Sequence, residues 1–227
     1  MGMPNSLAGG LWAPSCTYWH YGPSHLLVGA VSDWWQRMAT AQLILVLGGA
    51  RSGKSTFAEQ YAATRGERIT YLATAQAFDD EMTARIAKHR ADRPAHWRTV
   101  ECPLDPAAAL HTHTGETDCF LLDCMTLLIS NLLLADEATA EARSRQTVDD
   151  LLTAHRASGA DLIIVSNEVG LGLVPEYPLG RAYRDLLGKI NQRLAAQADA
   201  VYYLIAGLPL DVKSLACSPF SPKEPVS

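Results

Sequence analysis

Five short apolar runs punctuate the chain: Leu43–Leu47, Ile69–Thr74, Cys119–Asp123, Asp161–Asn167 and Ala200–Ala206. Each is rich in Val, Ile, Leu or aromatic residues and none alternates cleanly. That is the pattern of strands covered on both faces of a parallel sheet. Between them lie helix-compatible stretches, Lys54–Thr64, Asp79–Arg93, Thr126–Leu134, Glu137–Ala157 and Leu179–Ala198. Strands that alternate with helices need crossover connections, so the pattern predicts a three-layer α/β domain around a mainly parallel central sheet. A shorter run, Trp97–Glu101, adds a further strand or an edge segment.

The two ends do not share this pattern. Residues 1–37 hold Trp12, Trp19, Trp34 and Trp35 but only two charged residues, Asp33 and Arg37, and show no helical or strand period. They lack the basic region and compact apolar core of a signal peptide. The expectation is that Met38 is the natural start and that 1–37 is a mis-assigned or disordered extension; the alternative is an aromatic docking arm. N-terminal mass spectrometry separates the two. Residues 38–213 then form the domain, and 214–227, with three Pro and four Ser, read as a disordered tail.

Composition narrows the function. The chain has 227 residues, 48% hydrophobic and 19% charged, with a net charge of −5. That is one α/β domain of ordinary size with a full core. A mildly acidic balance argues against a general nucleic-acid binder. Five Cys without a C-x-x-C pair argue against a disulfide scaffold or zinc module and fit a reducing, cytoplasmic setting. No apolar run approaches the roughly 20 residues of a membrane span.

The first apolar run leads into Gly48-Gly49-Ala50-Arg51-Ser52-Gly53-Lys54-Ser55, which matches the Walker A pattern G-x-x-x-x-G-K-[ST]. A strand precedes it and a helix follows, as the motif requires. Glycines let successive backbone N–H groups turn toward phosphate oxygens, and the helix start adds a positive dipole end. Lys54 then reaches the β/γ-phosphates and the Ser55 hydroxyl ligates Mg²⁺. A Gly-rich turn that merely fits the pattern is the blander reading. With the motif in place, the expected fold is P-loop NTPase-like. Asp123 closes the third apolar run. It is either a strand-terminating Asp or, paired with the cradle, the carboxylate of the Mg²⁺ shell.

The stretch from Asp79 to Arg90 opens with acids and ends with bases, which suits the helix dipole. Met82 and Ile86 are expected to give its buried side. Glu81, Arg85, His89 and Arg93 recur every four residues on another face. A His between two Arg is poorly placed for a metal, but the arrangement suits a phosphate and keeps an imidazole nitrogen within reach of phosphorus. Considered alone, His89 reads as a solvated helix residue. His96, His111, His113 and His155 carry no such constellation and read as surface or structural. The stretch from Asn167 to Glu176, at a strand's C-terminal end, is a substrate-side loop, a subunit contact or a simple turn. Arg181 and Arg184 either reach phosphate or a partner subunit, or are solvated helix charges.

Taken together, GGARSGKS, YLATA, DDEMTARIAKHRADRPAHWRTVE, LLDCMTLLISNLL and VSNEVGLGLVPEYPLGRAYRDLLGKINQRLAAQADAVYYLIAGLPL closely resemble the bifunctional adenosylcobinamide kinase/adenosylcobinamide-phosphate guanylyltransferase family. The resemblance covers about residues 42–213. It implies phosphorylation of adenosylcobinamide by ATP or GTP, followed by transfer of GMP from GTP through an enzyme histidine to adenosylcobinamide phosphate. The histidine of the family's R-I-x-x-H motif corresponds to His89. The resemblance also implies nucleotide contacts at the 48–55 loop, at Ala73, Thr74 and Ala75, and at Arg90, Ala91, Asp92 and Arg93. It implies roles for Glu101 and Asp123 near guanine or the metal. Some members carry Glu in place of Asp123, and the residue before the histidine, here Lys88, also varies. The family's homotrimeric assembly is implied by resemblance alone. The alternative reading is a P-loop small-molecule kinase that does not use His89 covalently.

Overall fold

The computed structural model describes residues 41–77, 79–91 and 93–216, and for Glu81, Arg85 and Lys88 it describes the backbone alone. Residues 1–40, Phe78, Asp92 and residues 217–227 lie outside the described residues, and with them the expectations for 1–37 and for most of 214–227. Strands β1 (Leu43–Gly48), β2 (Ile69–Ala73), β3 (Arg98–Glu101), β4 (Cys119–Asp123), β5 (Asp161–Val165), β6 (Ala200–Ile205) and β7 (Leu208–Asp211) form one sheet. Helices are α1 (Lys54–Ala63), α2 (Asp80–Ala91), α3 (Pro106–His113), α4 (Met125–Ala135), α5 (Ala140–Ser158), α6 (Pro178–Gln197) and the single turn α7 (Val212–Leu215).

The strand order is β3-β2-β4-β5-β1-β6-β7, and every pairing is parallel except β6 with β7. The three-layer α/β expectation is met. Because strand side chains alternate between faces, each apolar run feeds two cores at once. Leu43, Leu45, Phe120, Leu122, Leu162 and Ile164 pack with Leu128, Ile129, Leu151, Leu187 and Ile190 of α4, α5 and α6. Ile44, Val46, Cys119, Leu121, Ile163 and Val165 pack on the other face with Ala58 and Ala62 of α1. This two-sided burial is why the runs lack a polar alternation.

Three elements are additions to the sequence reading. Helix α3 begins at Asp105, whose carboxylate accepts the Ala108 N–H at 3.0 Å, with Pro106 at the first helical position. Strand β7 returns antiparallel through Ala206 and Gly207, both left-handed at φ 51 and 84. Such a two-residue turn matches the twist of a hairpin. Helix α7 takes in Ser214 and Leu215, assigned to the tail from sequence. The remaining elements agree to within a few residues. Asn167, for one, lies beyond the end of β5.

Candidate active site

The C-terminal ends of β1, β2, β3 and β4 converge on one edge of the sheet, where open α/β sheets collect ligands. At the end of β1 the 48–55 loop turns into α1, so the helix start faces the loop. Gly48 adopts φ 150, and a Cβ there would lie 2.7 Å from both the Leu204 carbonyl and Ser52 Oγ. Only glycine closes that corner without displacing its neighbours. The loop is tied down from both sides. Glu168 donates its N–H to the Gly48 carbonyl at 3.0 Å, and Gly207 donates to the Ser52 carbonyl at 2.9 Å. Lys54 is buried, and its Nζ donates to the Gly49 carbonyl at 2.5 Å, folded back across the loop. Ser52 Oγ is buried inside the cradle with no hydrogen-bond partner among the described residues.

A cavity of about 490 Å³ opens beside this loop. It is lined by Ser55 at the start of α1, Tyr71 and Ala73 on β2, and Ala75, Gln76 and Ala77 just beyond. Met82, Ile86, His89, Arg90 and Arg93 line it from α2 and its exit, and Thr99, Glu101, Pro103, Asp123, Cys124 and Leu127 complete it. The phosphate loop's last residue and the helix-borne histidine therefore share one chamber. Met82, Ile86 and His89 stand four and three apart, so they occupy one helical face. The expectation that Met82 and Ile86 form a separate buried side is corrected: both are half-buried and form the apolar wall against which His89 stands.

The floor is held by polar contacts. Tyr71 donates its hydroxyl to Asp123 Oδ2 at 2.9 Å. The Arg93 guanidinium carbon lies over the Tyr71 ring, 3.2 Å from its centroid, and Arg93 Nη1 donates to Thr99 Oγ1 at 3.4 Å. Burial first, then the Asp123 carboxylate, pushes the Tyr71 phenol far up, so it stays a donor at any working pH. Thr74 is fully buried. Its Oγ1 donates to the Cys124 carbonyl and accepts the Cys124 N–H, both at 2.8 Å. Asn131 Nδ2 donates to the carbonyls of Thr74 and Pro103 at 2.9 Å, binding the ends of β2 and β3 together.

Of the residues singled out from sequence, Ser55, Ala73, Ala75, His89, Arg90, Arg93, Glu101 and Asp123 meet in the chamber. Gly48, Gly49, Ala50, Arg51, Ser52, Gly53 and Lys54 form the adjoining loop. Thr74 turns its side chain into a backbone clamp rather than the chamber, Ala91 is exposed, and Asp92 lies outside the described residues. Tyr71, Gln76 and Thr99 were not anticipated. Tyr71 lies in the middle of β2, Thr99 near the start of β3 and Gln76 just past β2, so no motif or strand-end position pointed to them. Arg181 spends its Nη1 on the carbonyls of Pro175 and Glu176, and Arg184 bonds Asp185, so both serve local structure here.

A sheet of this order with a Walker A loop closing its β1 strand defines a P-loop nucleotide-binding enzyme. Residues 44–212 match the family described as cobinamide kinase / cobinamide phosphate guanyltransferase, and the chain belongs to that family. It is 47% identical over 169 residues to the bifunctional adenosylcobalamin biosynthesis protein CobP of Pseudomonas aeruginosa, covering 74% of this chain and 96% of that one. It is 41% identical over 181 residues to the bifunctional adenosylcobalamin biosynthesis protein CobU of Salmonella typhimurium, covering 75% and 99%. Among the described residues, no helix is long and apolar enough to cross a membrane.

Proposed function

We propose that the chain phosphorylates adenosylcobinamide with ATP or GTP and then transfers GMP from GTP, through His89, to the resulting phosphate. The observation that carries this reading is the single chamber shared by Ser55, Asp123 and His89. In the first reaction the aminopropanol hydroxyl attacks the γ-phosphorus, loses its proton, and the nucleoside diphosphate leaves. In the second a His89 ring nitrogen attacks the α-phosphorus of GTP. The P–N bond forms as the bond to the β-phosphate oxygen breaks, and pyrophosphate leaves. A phosphate oxygen of adenosylcobinamide phosphate then attacks the same phosphorus, the P–N bond breaks, and adenosylcobinamide-GDP departs with His89 restored. Splitting the transfer in this way turns one difficult displacement into two.

The loop amides and Lys54 would hold the β/γ-phosphates, and Arg90 and Arg93 the charge developing near His89. Ser55 and Asp123 present a hydroxyl and a carboxylate to one chamber, two hard oxygen donors that fit Mg²⁺, which takes few protein ligands and completes its shell with phosphates and water. Mg²⁺ there would neutralise phosphate charge as it moves to the leaving group. We read the working assembly as a homotrimer and its compartment as the cytoplasm, in line with buried Cys102 and Cys119, which form no disulfide.

Incubation with α-labelled GTP and Mg²⁺ is expected to leave acid-labile, alkali-stable label on a His89 peptide. His89→Ala should abolish the label while adenosylcobinamide is still phosphorylated. Lys54→Ala should weaken both steps, by about tenfold or more in kcat/KM, because a buried charge contact to phosphate is lost. Label on the His89→Ala protein would move the nucleophile to another residue, whereas no label on the parent, with adenosylcobinamide still phosphorylated, would favour a kinase without a covalent step.

A further inference from the structure

Tyr71 belongs to neither the phosphate loop nor the histidine helix, yet it touches what each of them needs. It lies in the middle of β2 and is buried in the cluster that also holds Ile69, Cys119 and Leu121. At its tip, the hydroxyl bonds the carboxylate that faces the phosphate end of the chamber. On its ring face sits the guanidinium that follows the histidine helix. Among the described residues, Arg93 has a single side-chain hydrogen bond, the long one to Thr99, and its Nε is buried with no partner. The ring is therefore the main support of that cation. A carboxylate with one oxygen held by a phenol keeps its other oxygen as the acceptor for a ligand, oriented and unable to rotate.

We propose that Tyr71 is a positioning residue for both halves of the site: its hydroxyl fixes Asp123 for the cation at the phosphate end, and its ring fixes Arg93 beside the nucleotide at the histidine end. The first half rests on the reading of Asp123 as a cation-holding group. The two handles are chemically separable, because Phe keeps the ring and removes the hydroxyl, whereas Leu removes both. A residue that only filled the core would not distinguish between them in this way.

The test is Mn²⁺ binding to the full chain in the presence of α,β-methylene GTP, whose α-phosphorus cannot be transferred, with free Mn²⁺ read by electron paramagnetic resonance. Tyr71→Phe is expected to weaken Mn²⁺ binding about tenfold, the scale of one hydrogen bond to a charged group. The affinity for the analogue at saturating Mn²⁺ should stay within about twofold of the parent. Tyr71→Leu should weaken both, since the stacked cation is also released. In an Asp123→Asn background, Tyr71→Phe should cause no further loss of Mn²⁺ affinity, because the hydroxyl acts through that carboxylate. A general loss of stability would persist in both backgrounds, and equal losses in the two overturn the proposal. Parent-like Mn²⁺ affinity in Tyr71→Phe, with Asp123→Asn impaired, overturns it while leaving the cation site intact. Parent-like affinity in Asp123→Asn removes the cation reading itself and this proposal with it.

Discussion

Gly48 shows how much of the site is decided by a single side chain. A Cβ at this position would meet a backbone carbonyl and the Ser52 hydroxyl at 2.7 Å, and the left-handed φ disfavours it independently. Gly48→Ala is therefore expected to destabilise the chain by about 1–3 kcal/mol and to weaken nucleotide binding, both from one displaced loop. Thermal melting and nucleotide titration check it, and a parent-like melting curve would show that the corner relaxes. This residue was legible in the sequence because a motif with a known backbone requirement names it. Tyr71 was not. In the sequence it is one apolar position in a strand, and its partners Arg93 and Asp123 lie far along the chain, brought near only by the pairing of β2 with β3 and β4. Thr74 differs in another way. Its place in a family-like segment pointed to nucleotide, while its hydroxyl is consumed by the Cys124 backbone.

Helices and strands were legible where their burial was simple. The parallel strands announced themselves because both faces are covered, and α1 because the Walker loop has to be followed by a helix. Helix α3 was missed since Pro-Ala-Ala-Ala-Leu-His-Thr-His is short and has no polar face to set a period; its signal was the Asp105-Pro106 start. The face of α2 was misread because a chamber wall and a core look alike in spacing: Met82 and Ile86 are apolar in either case. Helix α5 carries a separate consequence. His155 sits near its end, buried, and burial is the main force lowering its pKa; Arg156 lowers it further, while a hydrogen bond with Ala160 and the charges of Asp161 and Asp199 oppose the shift. The folded state thus favours the neutral ring. Stability from this group is complete above about pH 6.5, the unperturbed value, and is lost as pH falls through the lowered folded value. Thermal melts between pH 7.5 and 5 should show a fall in midpoint that is smaller in His155→Gln. An identical fall in both proteins would remove His155 as its source.

At the scale of the whole molecule, the sheet brings three chemically distinct parts to one edge: a phosphate loop from β1, an arginine-bearing helix exit next to β3, and a carboxylate from β4. Strand order alone could not be read from the apolar runs, since any parallel arrangement satisfies two-sided burial, and so the chamber itself was invisible until the order was known. The proposed trimer belongs to this scale as well. Sedimentation equilibrium is expected to give about three chain masses of 24.6 kDa each, and a single chain mass would dismiss it.

The interior position of β1 has one more consequence. Its two neighbours, β5 and β6, come from residues 161–165 and 200–205, and the loop it feeds is tied by Glu168 and Gly207. A ribosome thus delivers the Walker segment early, but the walls that shape it emerge some 110 to 160 residues later. At ordinary rates of about 5–20 residues per second, that interval lasts several seconds to about half a minute. During synthesis the nascent chain carries the signature of a nucleotide site without the site, and a product released before Gly207 would never acquire one.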